Sequence, residues 1–233
     1  MPARATTAIS PTLVEERFLL GRAPVVIGLD EVGRGAIAGP VCVGAAAVAH
    51  AHVELGFPEG LRDSKLLTAK RREALEPACR TWGIAVAIGS ADAAEIEARG
   101  IAWALAAAAK RALAELHAAG VEVAAAAILL DGAHDWLSPE LATPLDVTVR
   151  PKADQDCASV ASASVVAKVA RDREMARLHE AAPGYGWDAN KGYASAAHSA
   201  AIRELGPHPL HRRSWLRRIL EDPAPSEGGP PAA

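Results

Sequence analysis

Short apolar runs alternate with longer stretches of helical spacing through the middle of this chain. Residues 25–29 and 41–48 are near-continuous apolar runs separated by a glycine-punctuated loop, and both read as strands. Residues 68–81 have helical character, with Thr68 placed to cap the first turn. A third strand is expected over 84–88. Asp92 and Glu95 then have the spacing of a capping box, opening helical material that runs to about residue 117 with a break at Gly100. Strands are expected again over 126–130 and 145–149. A long helix follows over about 157–181, then two shorter ones near 196–205 and 213–221. This order predicts an α/β fold with a mixed sheet. The first two strands can pair as an antiparallel hairpin, and the fourth, arriving after a helical crossover, can lie parallel to the first. The expected organisation is a loosely ordered lead-in over 1–21, a main α/β domain over 22–190, a C-terminal helical extension over 191–221 and a disordered Pro/Gly/Ala-rich tail over 222–233.

The candidate chemistry sits at strand ends. Asp30 and Glu31 follow the first apolar run, Asp131 follows the fourth, and Asp154 comes soon after the fifth. An acid at one strand end is ordinarily a solvated turn residue. Three such ends meeting at one sheet edge are another matter, because two carboxylates ~4 Å apart repel by up to ~4 kcal/mol at an effective dielectric of ~20. A cation would hold such a cluster together. All-oxygen ligands without histidine or thiol favour a hard ion, Mg²⁺ or Mn²⁺, and such ions on carboxylates serve phosphate chemistry. Asp156 is a rival to Asp154 on position alone.

Composition narrows the class. Half of the 233 residues are apolar, enough for a sizeable core, and the formal charge of −3 gives no global attraction to a polyanion. Nucleic-acid binding must then rest on local basic clusters: Arg62, Lys65, Lys70, Arg71 and Arg72 form one, and Arg203, Arg212, Arg213, Arg217 and Arg218 another. The three cysteines form no CxxC pair, so buried thiols in a reducing compartment are expected rather than a disulfide framework or a zinc site. The N-terminal apolar stretch is broken by Glu15, Glu16 and Arg17, unlike a signal peptide, and no run reaches the ~18 apolar residues of a membrane span. A cytoplasmic monomer with no membrane association is expected.

Seven motifs in order carry a resemblance: DEVGRGAIAGPV (30–41), DSK (63–65), LLDG (129–132), KAD (152–154), SASVVAKVARDREM (162–175), KGY (191–193) and HRRSW (211–215). Together they resemble the type 2 ribonucleases H, most closely bacterial ribonuclease HII. The resemblance implies an RNase H-like mixed five-stranded sheet flanked by helices, with a C-terminal helical extension. It also implies metal-dependent endonucleolytic cleavage of the RNA strand of RNA–DNA hybrids, nicking 5′ of single ribonucleotides in duplex DNA, and 3′-hydroxyl and 5′-phosphate ends. By motif, Asp30, Glu31, Asp131 and Asp154 match the four metal-binding carboxylates, and KAD favours Asp154 over Asp156. Gly33, Arg34 and Gly35 match a loop whose bare backbone approaches the 2′-hydroxyl, the group that separates RNA from DNA. Tyr193 matches a tyrosine that packs against the sugar at the RNA–DNA junction, and Lys65 is a candidate phosphate contact. Asn190 stands where the family usually has histidine. Asp172, four residues after Lys168, suits a helical ion pair and a structural role, and residues 171–173 read as a basic surface strip. Two other readings stand beside this one. A ribonuclease HIII-like enzyme would cut long hybrids alone, although it usually carries a further N-terminal domain and only about 24 residues precede the first strand here. A non-catalytic nucleic-acid binder would not need four intact acids.

Overall fold

The computed structural model describes residues 10–221, so the tail expected over 222–233 and the first nine residues lie outside the described part. Five strands form one sheet: β1 (Val26–Val32), β2 (Val41–Val48), β3 (Ala85–Ala91), β4 (Ala127–Asp131) and β5 (Asp146–Arg150), in the order β3-β2-β1-β4-β5. β1 pairs antiparallel with β2, which pairs antiparallel with β3, while β4 and β5 lie parallel to β1. The hairpin and the parallel return expected from the chain order are both present. β1 runs further than its apolar run suggested: Asp30 and Glu31 are paired strand residues, opposite Gly44 and Val43 of β2, rather than residues just past the end.

Ten helices surround the sheet among the described residues: α1 (Val14–Leu20), α2 (His50–Glu54), α3 (Ala69–Thr81), α4 (Ala93–Arg99), α5 (Ile101–Ala118), α6 (Ala153–Asp156), α7 (Ala158–Ala181), α8 (Trp187–Asn190), α9 (Ala196–Leu205) and α10 (Arg217–Glu221). Strand alternation divides the core. Ile27, Leu29, Ile128 and Leu130 face α5, while Val26, Ala127 and Leu129 face α7, α1 and α3. The abundant alanine and the strand glycines let the long helices lie close. A Cβ on Gly28 would stand 2.5 Å from backbone atoms of Ser159 and Val160, and one on Gly44 2.4 Å from the Ala163 carbonyl oxygen. α7, whose first half reads ASVASASVVA, therefore crosses directly over β1 and β2 beside Asp30.

Helix ends explain most of the boundaries. Thr68 accepts the N–H of Arg71, and Asp92 and Glu95 cap each other reciprocally as their spacing predicts. Gly100 separates α4 from α5 with φ +82. Residues 10–21 depart from the expected loose lead-in. α1 buries Leu19 and Leu20, and the carboxylate of Glu16 accepts from both the backbone N–H and the hydroxyl of Ser159 at 2.8 Å. This acid, which breaks the apolar run in the sequence, caps the N-terminus of the 24-residue α7 from a distance.

Helices α8 to α10 pack on the second half of α7 around Met175, Tyr185, Trp187, Ile202 and Leu216. Here Trp187 Nε1 donates to His198 Nε2 at 3.0 Å, which leaves His198 Nδ1 to donate to the Tyr193 carbonyl at 2.8 Å. His211 Nε2 lies 3.0 Å from His198 Nε2, and its Nδ1 accepts the His208 N–H. Among the described residues, no helix is long and apolar enough to cross a membrane.

Candidate active site

Adjacent parallel strands bring the acids to one edge. Leu29 of β1 lies opposite Leu130 of β4, so Asp30 and Asp131 follow as neighbours. Asp154 arrives on α6, where Lys152 adopts the left-handed conformation (φ 62) at the helix start, and the Asp154 N–H donates to Asp131 Oδ1 at 3.4 Å. Asp156, two residues on, turns away and pairs with Arg150 at 3.0 Å. The DSK segment supplies the opposite charge: Lys65 Nζ contacts Asp154 Oδ2 at 2.9 Å. The turn that presents Lys65 is held by Asp63, which accepts the Lys65 N–H, by Arg72 on the Ser64 and Leu67 carbonyls, and by Ser164 of α7 on the Ser64 hydroxyl.

Two of the acids are buried, two are half-buried, and their charge is undercompensated. Asp30 is 2% exposed and Asp154 3%. Burial pushes the Asp30 carboxyl well above its ordinary range, and the charges of Glu31 and Asp131 push the same way against Ser164 and Lys65. Glu31 is raised by burial despite Arg34 beside it at 3.4 Å. Asp131 is raised by burial and then by Asp154. Burial acts to lower Lys65, but its hydrogen bond to Asp154 and the nearby acids outweigh that and hold it firmly protonated. Asp30 Oδ2 and Glu31 Oε2 are buried without any partner.

This donor set fits a hard divalent cation: all ligands are oxygens, two of them unsatisfied, with like charges raising one another. Among the described residues, no three Asp, Glu, His or Cys groups already stand as close as ligands of one ion.

Asp30 and Glu31 open into a cleft of about 200 Å³ shared with Gly33, Arg34, Gly35, Lys65 and Tyr193. Ser64 and Lys168 also line it. Asp131 and Asp154 do not line it but adjoin it, Asp131 beside Asp30 and Asp154 through Lys65. Tyr193 is 39% exposed, with the Arg171 guanidinium 5.6 Å from its ring centre. Asp172 pairs with Lys168 at 2.5 Å, as the i,i+4 spacing predicts, and with Arg72 at 3.5 Å.

The basic clusters are less superficial than their sequence suggests. Arg171 and Arg212 are fully buried, so residues 171–173 are no surface strip and Arg212 is not available to a duplex. Arg72 also turns inward, while Lys65, Lys70, Arg71, Arg203, Arg213, Arg217 and Arg218 remain exposed. A trace of Arg171 was present in the sequence, since it shares with Ala167 and Met175 a four-residue spacing that is otherwise apolar. Arg212 lies in irregular chain and left no such signal.

Comparison with known proteins identifies the family. A family model described as Ribonuclease HII matches residues 27–218. The Streptomyces avermitilis ribonuclease HII is 47% identical over 207 residues, covering 88% of this chain and 83% of that protein. A Thermus thermophilus ribonuclease HII is 42% identical over 191 residues, covering 82% and 86%. Among solved structures, the ribonuclease H2 of Pyrococcus horikoshii superposes with a TM-score of 0.66 at 26% identity, covering 84% of this chain and 97% of that one. Bst-RNase HIII in complex with Mn²⁺ gives 0.62 at 25% identity, covering 88% and 69%. The chain therefore belongs to the ribonuclease HII family of metal-dependent endoribonucleases.

Proposed function

We propose that this enzyme, an endonuclease for the RNA strand of RNA–DNA hybrids, also nicks duplex DNA on the 5′ side of a single ribonucleotide. In this reading Asp30, Glu31, Asp131 and Asp154 hold Mg²⁺ or Mn²⁺. A pair of ions held there would supply Lewis acidity for in-line displacement at phosphorus, the reaction that gives 3′-hydroxyl and 5′-phosphate ends. The observation that carries it is the shared cleft: Asp30 and Glu31, each with one buried oxygen that has no partner, line the same space as Gly33, Arg34, Gly35 and Tyr193.

Each remaining residue then has a physical task. The loop of Gly33, Arg34 and Gly35 brings backbone against the ribose, where an added side chain would hold it off. Tyr193 lays its ring on the sugar of the following nucleotide, favouring a deoxyribose there and so an RNA–DNA step. Lys65 contacts a phosphate, leaving Asp154 to the cation. The exposed arginines of the two basic clusters hold the duplex through its backbone. The protein acts as a cytoplasmic monomer.

The test uses duplexes carrying one ribonucleotide, a full RNA–DNA hybrid and an all-DNA control, each with Mg²⁺, Mn²⁺ or chelator. A metal-dependent nick 5′ of the lone ribonucleotide is expected. Cleavage of the long hybrid alone would refute the single-ribonucleotide reading and favour a ribonuclease HIII-like specificity.

A further inference from the structure

Arg171 of α7 and Arg212 of the HRRSW segment are both wholly inaccessible to solvent, yet neither forms an ion pair among the described residues. A buried charge without a counterion is costly unless its donors are satisfied. Here the acceptors are backbone carbonyls, five of the six in one loop, and of the six guanidinium nitrogens Arg212 Nε alone has no partner among the described residues. Arg212 donates to Gly33 at 2.8 Å, to Arg34 at 2.7 Å and to Gly39 at 3.2 Å. Arg171 donates to Ala38 at 3.3 Å, to Pro40 at 2.8 Å and, across the gap, to Lys191 at 2.9 Å. The Gly192 carbonyl completes the join by accepting from the N–H groups of Ile37 and Ala38. Segment 33–40 is thus bolted from beneath to the turn that carries Tyr193.

The direction of these bonds has a consequence for the cleft. In a trans peptide the C=O and the following N–H point to opposite sides. The carbonyls of Gly33 and Arg34 face inward to Arg212, so the N–H groups of Arg34 and Gly35 face the other way. Both residues are exposed, and neither N–H meets an acceptor among the described residues. Burial pulls Arg212 down to about 10, which leaves it cationic at neutral pH.

We propose that Arg171 and Arg212 are positioning residues for ribonucleotide recognition: by drawing the carbonyls of residues 33–40 inward, they present the Arg34 and Gly35 N–H groups as a preformed donor pair for the 2′-oxygen. The inference rests on the reading of this loop given above and adds the residues that set its orientation. A planar guanidinium suits the task because it reaches several carbonyls at fixed angles, which a lysine ammonium on a flexible stem does not.

The experiment measures binding in the cleavage-impaired Asp131→Asn background, to a duplex with one ribonucleotide and to the same duplex made wholly of DNA. Thermal melting is recorded for every variant. The background protein should prefer the ribonucleotide duplex. Absence of any preference there would sink the reading of the loop itself, and this inference with it. With that preference in hand, Arg212→Met should lower it at least tenfold while the folded protein still binds all-DNA duplex as before. Arg212→Lys, which keeps the charge but not the fork, should fold and show an intermediate loss, and it carries the test if Arg212→Met does not fold. A folded Arg212 variant that melts lower yet keeps the full preference would overturn the proposal and leave Arg212 a packing residue.

Discussion

At the carboxylate edge, buried negative charges raise one another's pKa and leave two oxygens without partners. One loop away, two buried positive charges are met by six carbonyls. Both regions contain burial that ordinary cores avoid, and the difference between them separates two kinds of preorganisation. The loop of residues 33–40 is nearly complete within the protein: the fold orients its backbone, and Arg212 Nε alone among these guanidinium nitrogens has no partner among the described residues. The acid edge is unfinished: its charge is relieved by protonation or, in the function proposed, by a bound cation. Substitutions should therefore act with opposite signs on stability in the two regions.

The largest effect is expected at the acid edge. Asp131→Asn removes a proposed ligand and should lower cleavage on the order of 10³-fold or more, about 4 kcal/mol in the barrier. Stability near neutral pH should hold or rise, because the carboxyl of Asp131 is raised by burial and by Asp154, so its charge opposes folding. Calorimetry with Mg²⁺ or Mn²⁺ sharpens the contrast. At roughly 100-fold excess over Kd, bound cation should raise the parent's Tm by about 5–10 °C and the variant's by much less. An Asp131→Asn protein that cleaves at the parent rate would remove Asp131 from the metal site.

At the loop the sign reverses. Gly33 has φ +86, and a Cβ there would lie 2.0 Å from Arg171 Nε. Gly33→Ala must therefore strain the backbone and displace the guanidinium, costing about 3 kcal/mol in denaturant unfolding. A loss below about 1 kcal/mol would mean that the loop yields easily and is not preformed.

These two regions also differ in how legible they were. Asp30, Glu31 and Asp131 could be proposed from strand ends alone, because an apolar run followed by a carboxylate is a local signal, whereas choosing Asp154 over Asp156 needed the KAD motif of the family resemblance. The order and direction of β1, β2 and β4 followed from hairpin and crossover rules for the same reason. The boundary at Asp30 was misjudged because pairing with β2, which no local pattern encodes, carries β1 on to Val32. Arg171 and Arg212 were misread as surface charge, since charge in sequence implies exposure and their acceptors lie 131 to 179 positions away for the loop contacts. Glu16 was missed similarly: its role as the cap of α7 depends on a residue 143 positions distant. Local chemistry was readable, and long-range satisfaction of polar groups was not.

A pH series offers a third contrast, between the acid edge and the histidines under Tyr193. Burial, with the neighbouring His198, lowers His211 to about 4, so between about pH 6.5 and 4 the unfolded chain binds a proton that the fold refuses. That contribution is intact above pH 6.5 and lost as pH falls through the window. Asp30, Glu31 and Asp131 run the other way, since their raised pKa values let the fold take up protons first as pH falls. His211→Asn removes one arm, so its deficit relative to the parent should shrink by about 2 kcal/mol between pH 7 and 4.5 in urea unfolding. A constant deficit would mean that His211 titrates normally in the fold.

The smallest effect is the most discriminating for the loop. Gly35 has no positive φ, and a Cβ built there meets nothing within 4 Å. The fold does not require glycine at this position, whereas it does at Gly33. If glycine stands at 35 for the substrate, Gly35→Ala should leave the Tm within about 1 °C of the parent and raise KM for a single-ribonucleotide duplex about tenfold, near 1.4 kcal/mol. Because the methyl group stands between backbone and ribose, binding to all-DNA duplex should change far less. An alanine variant with unchanged KM would show that the ribose does not approach Gly35 closely, and recognition would then have to lie with Glu31, Arg34 or Tyr193 in the same cleft.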